Sequence, residues 1–407
     1  MKKLLSAILL ALLCITAQSQ PPLVYDVENT GSHYPAPLMP SADQLKEIRQ
    51  LPDALEGVAD FSGWSRRRSD IAHLIQHYGI GRKPAVEPSQ VKARMEGDTM
   101  LVVDVTVGSE TLTLRSTIHY PAAATIPSAA TIPSAATIPS AAATIPSASA
   151  EGPQPPYALL IGASMNSLPR DLFEGRPIAL MNFHEAQVND YSQWRRNHHD
   201  RGEHNFDRLY PELKDNGAYS EWAWGFSRLI DGLQQLGPEV TKIDMRRIGV
   251  TGCSYAGKMA LYCGAFDERV ALVIAQEPGG GGAAAWRKSH ESAENVEDID
   301  KTDYHWFLQS QKENFGGDNV YRLPYDQHEL CAMVCPRALL LLGNPDYPWL
   351  SDPAMQASAD EAKKVWQRFG IGERFQCDIV GGHGHCQLPK SQWPLVQSFI
   401  DRYLLGK

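Results

Sequence analysis

The feature that most constrains the fold is a repeated alternation of apolar runs and helical patterns after residue 156. The apolar runs include YALLIGA, PIALMNF, RIGVTG, VALVIAQ and PRALLLLG. Runs that are apolar at nearly every position predict strands buried on both faces, as in a parallel sheet covered by helices on both sides. We therefore expect an α/β fold, a three-layer αβα sandwich with a mostly parallel central sheet.

The part of the chain before this region has a different pattern. Two stretches, TMLVVDVTVG and TLTLRSTIHYP, alternate with a period of two residues and predict antiparallel strands joined by a Gly-Ser-Glu turn. Residues 20 to about 85 are rich in proline and are predicted to be mostly loop. Helical patterns occur there at 41–49 and at 66–79.

The first 19 residues, MKKLLSAILLALLCITAQS, have the composition of a secretory signal peptide: two lysines, an apolar run, then small residues. No other stretch reaches the roughly 18 apolar residues that a membrane-spanning helix needs. We expect cleavage after Ser19, a secreted or periplasmic protein that is not bound to the membrane, and a single catalytic domain over 20–407. We also expect a monomer.

A low-complexity insert interrupts the chain at about 122–155. Thr-Ile-Pro-Ser occurs four times there, embedded in alanine. Proline every six or seven residues blocks helices and removes strand donors, and the segment has little apolar bulk to bury. The insert is predicted to be a surface loop, with a glycosylated stalk as the alternative.

The net charge of −9 at pH 7 argues against nucleic acid as a partner, because binding to phosphates requires a basic surface. Of the 7 cysteines, only Cys14 falls in the predicted signal peptide, so export would allow disulfides among the rest. Cys331 and Cys335 are spaced like half of a zinc site, but no second Cys/His pair at zinc spacing accompanies them. We expect buried free thiols there and no metal.

Ser254 lies where an apolar run passes into a helical pattern, in VTGCSYAGKMAL. A serine in a strand–turn–helix predicts the nucleophile elbow of a serine hydrolase, although the usual G-x-S-x-G pattern requires glycine in place of Ala256. The backbone N–H of Tyr255 would then face a developing oxyanion at the helix N-terminus. The alternative interpretation of Ser254 is a helix cap.

The other members of a Ser–His–acid triad follow in the order that α/β hydrolases use: nucleophile, acid, histidine. His385 lies in GGHGHCQLP, after the final strand pattern, and Glu277 and Asp346 each follow an apolar run. Either carboxylate can orient the imidazole, so the choice of acid stays open. Cys253 adjoins Ser254 and Cys386 adjoins His385, so a bonded Ser–His pair would bring these cysteines to disulfide distance.

Five motifs occur in order, GCSYAGK, QEPGGGGAAAWR, LPYDQH, NPDYPWL and HGHCQLP. Together they resemble the glucuronoyl esterases, carbohydrate esterase family fifteen, over residues 155–405. The resemblance implies an α/β-hydrolase fold and a carboxylic ester hydrolase without cofactor. It implies cleavage, through an acyl-enzyme, of the ester between 4-O-methyl-glucuronic acid of glucuronoxylan and a lignin alcohol. We expect a secreted bacterial member.

The resemblance also assigns residues by position. It implies that Ser254 is the nucleophile, His385 the base and Glu277 the acid, with Asp346 as an alternative or auxiliary acid. Cys253 and Cys386 match the disulfide pair that flanks serine and histidine in fungal members. The remaining matches are three predicted sugar contacts: Lys258, Glu297 and Trp349.

One position departs from the family pattern, which usually has Arg-Asn after the serine, whereas this chain has Tyr255 and Ala256. That arginine is thought to help stabilise the oxyanion, and Tyr255 would bring a hydroxyl without charge. Losing one such donor costs about 10²–10³ in turnover. Two alternatives follow: an esterase for other esters, such as acetyl esters, on the same fold, or a catalytically weakened homologue that binds glycan.

Overall fold

The computed structural model describes residues 21–121, 154–292 and 295–407. The predicted signal peptide, and all but the last two residues of the predicted insert, lie outside the described residues. No helix in the described ranges is long and apolar enough to cross a membrane.

Nine strands of the described chain form one sheet, in the order β1-β2-β3-β5-β4-β6-β7-β8-β9. They are β1 (Val91–Glu96), β2 (Met100–Val107), β3 (Glu110–His119), β4 (Tyr157–Ala163), β5 (Ile178–Phe183), β6 (Ile243–Cys253), β7 (Leu272–Gln276), β8 (Ala338–Gly343) and β9 (Phe375–Ile379). The first three strands pair antiparallel, and β3 pairs antiparallel with β5. From β5 to β9 all neighbours are parallel.

The α-helices are α1 (Phe61–Ile75), α2 (Asn205–Leu209), α3 (Ala218–Leu236), α4 (Pro238–Thr241), α5 (Tyr255–Ala265), α6 (Trp286–His290), α7 (Gln309–Phe315), α8 (Gln327–Ala332), α9 (Asp352–Arg368) and α10 (Trp393–Tyr403). A π-helical turn, Gln76–Ile80, extends α1. Short 3-10 turns lie at Ala42–Gln44, Pro88–Gln90, Arg170–Phe173, Glu185–Gln187, Pro211–Leu213, Gly317–Arg322, Pro348–Leu350, Gly372–Arg374 and Lys390–Gln392.

The central strands are buried on both faces. In β8, Leu339 and Leu341 belong to one apolar cluster, and Leu340 and Leu342 belong to the other. Helices α1, α3, α5, α8 and α9 contribute to the first cluster, whereas α10 and the turn at Arg170–Phe173 contribute to the second. A strand whose successive side chains enter two cores must lie between two layers, so the predicted three-layer α/β fold is confirmed.

Two predictions about the N-terminal part need correction. The helical pattern at 41–49 forms only the 3-10 turn Ala42–Gln44, and Ser41 provides no side-chain cap. Farther along this stretch, the backbone of Ile48 bonds instead to Tyr321 and to the Arg287 side chain, so tertiary contacts replace helical hydrogen bonds. Strand β1 was not predicted. The helix predicted at 66–79 is present but begins earlier, at Phe61, where Asp60 caps it.

The sheet order reverses at β4, which lies between β5 and β6. In open α/β sheets, ligands bind beyond the carboxyl ends of the strands, at the point where the order reverses. The loops after β4, β6, β7, β8 and β9 all leave from this edge. The predicted catalytic residues Ser254, Glu277, Asp346 and His385 lie in the turns and loops after β6, β7, β8 and β9 respectively.

Candidate active site

Ser254 forms the sharp turn between β6 and α5. Its backbone has φ 60° and ψ −127°, a conformation that is costly for a residue other than glycine, and its side chain makes no capping hydrogen bond. The turn is so tight that it requires glycine at two positions. A Cβ atom at Gly252 would lie 2.2 Å from the Ala256 carbonyl oxygen, and one at Gly257 would lie 2.4 Å from the Gln276 carbonyl oxygen. The second glycine that the elbow needs is therefore at 257 rather than at 256.

Glu277 directly follows β7 and reaches the imidazole of His385. Its carboxylate is 1% exposed and is hydrogen-bonded to His385 Nδ1. Both carboxylate oxygens also accept from the backbone N–H of Cys386 at 3.2 Å. The backbone N–H of His385 donates to the Tyr347 hydroxyl at 2.8 Å. These contacts fix the ring and leave Nε2 as the nitrogen that faces away from the acid.

Asp346, the second candidate acid, has a different environment. It is exposed, and its carboxylate accepts from the backbone N–H of Gly382 in the loop before His385. Within the described residues it forms no hydrogen bond to His385. The structure therefore brings Glu277 to the histidine, while Asp346 ties the loop after β8 to the loop after β9.

A disulfide joins Cys253 to Cys386, with a Cα–Cα distance of 5.6 Å across 133 residues of sequence. It links the residue before Ser254 to the residue after His385. The other described cysteines, Cys263, Cys331, Cys335 and Cys377, are free thiols. Cys331 lies in α8, whereas Cys335 lies beyond its end.

Tyr255 is the first residue of α5, and its hydroxyl contacts Ser164 and Glu185, two residues that the sequence did not identify as part of the site. The hydroxyl oxygen lies 2.8 Å from that of Ser164 and 3.3 Å from the Glu185 carboxylate, to which Ser164 also donates at 2.9 Å. Burial raises the pKa of the Tyr255 phenol, and the charge of Glu185 raises it further, so the phenol is neutral. The ring stacks at 13° with Trp306, with centroids 6.4 Å apart.

The three predicted sugar contacts are linked to one another near Ser254 and His385. Lys258 Nζ forms an ion pair with Glu297 at 2.8 Å, and the lysine is only 3% exposed. The backbone N–H of Glu297 donates to the Trp349 carbonyl at 3.0 Å. Trp349 is 45% exposed and packs edge-on to His385, with ring centroids 6.0 Å apart. A cation, a carboxylate and an indole are therefore linked in one cluster, and the indole of that cluster contacts the imidazole.

Comparison with known proteins places this site in context. The sequence profile described as "Glucuronyl esterase, fungi" matches residues 131–370. The 4-O-methyl-glucuronoyl methylesterase of Cerrena unicolor is 33% identical over 352 residues, which cover 84% of this chain and 66% of that protein. The corresponding enzyme of Thermothelomyces thermophilus is 30% identical over 372 residues, covering 88% and 82%. The chain thus spans about two thirds of the first relative's length.

One solved structure is similar to this chain over most of the length of both. It is a glucuronoyl esterase variant from Sporotrichum thermophile in complex with methyl 4-O-methyl-β-D-glucopyranuronate. The TM-score is 0.75 at 29% identity, and the match covers 89% of each chain.

Proposed function

The chain belongs to the glucuronoyl esterase family, and we propose that it is a serine esterase acting on 4-O-methyl-glucuronic acid esters of glucuronoxylan and lignin alcohols. The observation that carries this proposal is the hydrogen bond between Glu277 and His385 beside a serine held in a strained elbow. The relatives named as 4-O-methyl-glucuronoyl methylesterases support the substrate class.

The proposed first half-reaction forms an acyl-enzyme. Ser254 Oγ attacks the ester carbonyl carbon while His385 Nε2 accepts the hydroxyl proton, and Glu277 stabilises the resulting imidazolium. The C=O electron pair moves onto oxygen, where the backbone N–H of Tyr255 donates to it at the N-terminus of α5. The tetrahedral intermediate then collapses: the bond to the alcohol oxygen breaks, and His385 returns its proton to that oxygen.

The second half-reaction releases the acid. Water attacks the uronoyl ester on Ser254 as His385 accepts one of its protons. Collapse breaks the bond to Ser254 Oγ, which recovers the proton from His385. The uronic acid leaves with the second proton of the water and loses that proton to solvent, becoming a carboxylate. These steps balance with water as the only co-reactant. The disulfide keeps serine and histidine in register because each partner cysteine adjoins one of them.

We assign the space next to His385 to the uronoyl ring. Hydroxyl groups of the sugar would bond to Lys258 and Glu297, which offer three N–H donors and carboxylate acceptors respectively. Trp349 offers an apolar face to the ring and one indole donor. Tyr255 takes the position where the family usually has arginine, so positive charge at the oxyanion is lost, and we expect slower turnover than an arginine-bearing relative.

The setting of the enzyme is also a proposal. The signal-like N-terminus supports a secreted or periplasmic protein that is not bound to the membrane after cleavage, and the acidic charge supports one that binds no nucleic acid. The monomeric state stays a prediction. The bacterial origin and the single domain over 20–407 stay predictions.

The test is hydrolysis of benzyl glucuronate by the purified protein, measured beside acetylated xylan. We expect benzyl alcohol release and little acetate. Acetate release without benzyl alcohol would assign an acetyl esterase instead. Turnover of neither substrate, together with no labelling of Ser254 by a fluorophosphonate, would leave a glycan-binding homologue. A Ser254→Ala variant controls for contaminating esterase.

A further inference from the structure

The backbone around His385 is held in place by side chains. We call residues 380–386, after β9, the histidine loop, and residues 344–350, after β8, the β8 loop. In the described ranges, His385 takes part in no backbone-to-backbone hydrogen bond. The position of the proposed base therefore depends on side chains that bond to the histidine loop.

The β8 loop supplies three such bonds. Each joins one of its side chains to a backbone group of the histidine loop: Asn344 donates to the His383 carbonyl at 3.2 Å, Asp346 accepts from the Gly382 N–H, and Tyr347 accepts from the His385 N–H at 2.8 Å. Of these three bonds, the one from Tyr347 reaches the residue that carries the imidazole.

Tyr347 and Glu277 anchor different parts of His385. Glu277 bonds to Nδ1 of the imidazole and to the backbone N–H of Cys386. The Tyr347 hydroxyl bonds to the backbone N–H of His385, and its ring centroid lies 5.3 Å from that of the imidazole. The direction of the imidazole is therefore set by two anchors, one on the ring and one on the backbone that carries it.

The β8 loop also carries the exposed indole that we assign to the uronoyl ring. Trp349 comes two residues after Tyr347, and their ring centroids lie 4.8 Å apart at an interplanar angle of 64°. The Trp349 carbonyl accepts from the backbone N–H of Glu297 at 3.0 Å. The β8 loop is therefore bonded to the predicted sugar contacts on one side and to the histidine loop on the other.

We propose that Tyr347 is a positioning residue that couples these two sides: it holds His385 in line with Glu277, and it does so most firmly when a uronoyl ring rests on Trp349. The inference rests on the proposed esterase function. A sugar packed on the indole restricts the indole, and through the ring contact it restricts Tyr347. Binding energy from a part of the substrate that does not react is then used to orient the base, which raises kcat and not affinity alone.

The test replaces Tyr347 with phenylalanine, which keeps the ring and removes the hydroxyl. It compares benzyl glucuronate with p-nitrophenyl acetate, an ester without a sugar. For benzyl glucuronate we expect kcat to fall about five- to tenfold, the effect of one neutral hydrogen bond, while KM stays within about twofold. For p-nitrophenyl acetate we expect kcat/KM to fall less than about twofold, because no sugar packs on the indole.

Two further variants serve as controls. Tyr120→Phe is matched to Tyr347→Phe, since the Tyr120 hydroxyl also bonds to a backbone group, the Thr241 carbonyl at 2.8 Å. Thr241 precedes β6 and Ser254 follows it, so this variant should alter the hydrolysis of neither ester. In a Trp349→Ala background, Tyr347→Phe should lower kcat for benzyl glucuronate no more than about twofold, because the coupling is already lost. Circular dichroism melts verify that each variant is folded.

The outcomes separate this inference from the function on which it rests. If the parent does not hydrolyse benzyl glucuronate, the proposed function fails, and the inference fails with it because it requires a bound uronoyl ring. If the parent hydrolyses benzyl glucuronate, the function stands and three results would overturn the inference. They are an unchanged kcat in Tyr347→Phe, an equal loss with both esters, and a rise in KM without a loss in kcat, which would make Tyr347 a sugar contact.

Discussion

The hydroxyl oxygens of Tyr255 and Ser164 lie 2.8 Å apart, so the residue after the proposed nucleophile is tied to the loop after β4. Both hydroxyls also reach the carboxylate of Glu185. In α/β hydrolases the oxyanion is bound by the backbone N–H after the nucleophile and by a second N–H from the loop of a neighbouring strand. This hydrogen bond therefore connects the two segments on which such a site depends.

Replacing Tyr255 with phenylalanine should remove the tie and keep the ring. We expect kcat on benzyl glucuronate to fall about fivefold, the effect of one neutral hydrogen bond, with KM nearly constant. Ser164→Ala should have the same effect, and the double variant should be no slower than either single one. Additive losses, or a change confined to KM, would show that the pair does not position the elbow.

Removing the disulfide should lower the free energy of unfolding and the rate of ester hydrolysis. The bond closes a loop of 133 residues, so Cys253→Ala with Cys386→Ala should cost about 3–5 kcal/mol in urea unfolding. Dithiothreitol should likewise lower the urea concentration at the midpoint of the parent's unfolding. The double variant is the matched control: its described cysteines are free thiols, so reductant should leave its midpoint unchanged.

The Lys258–Glu297 pair should affect sugar esters selectively. Glu297→Gln removes a charge that holds Lys258 and, in our proposal, a sugar hydroxyl. We expect KM for benzyl glucuronate to rise about tenfold, while p-nitrophenyl acetate, which has no sugar, is hydrolysed as before. Glu291→Gln breaks an exposed pair with Lys288 and serves as control. Equal losses on both substrates would contradict a sugar-binding role.

Asp352, at the start of α9, gives a pH-dependent prediction. Burial, with a smaller contribution from the charge of Glu277, raises the pKa of Asp352 from 3.8 to about 6. The folded state therefore favours the protonated acid, and stability is lost as pH rises from about 4 through 6. Asp352→Asn should have a Tm advantage over the parent that grows to about 1–3 °C between pH 4 and pH 7. An advantage independent of pH would refute the raised pKa.

The parallel part of the fold was predictable because its strands are buried on both faces. Runs such as YALLIGA and PRALLLLG are apolar at nearly every position, a pattern that predicts buried strands. Ser254 and Glu277 follow such runs directly. The segment at 41–49 was mispredicted because its backbone bonds to distant residues, which a helical pattern cannot reveal.

The sequence left the acid undecided for a physical reason. Glu277 and Asp346 follow neighbouring strands, and only the path of the loop after β9 determines which of them meets His385. Ser164 and Glu185 match no motif. Their one signal is their position just after an apolar run, which many structural residues share.

The central claim is that Ser254, His385 and Glu277 act as one catalytic unit, and kcat on benzyl glucuronate tests it most directly in three variants measured together. We predict that Ser254→Ala loses at least about 10⁴-fold, that Glu277→Gln loses about 10²–10⁴-fold, and that Asp346→Asn stays within about threefold of the parent. Retained turnover in Ser254→Ala, or a loss in Asp346→Asn as large as that in Glu277→Gln, would contradict it.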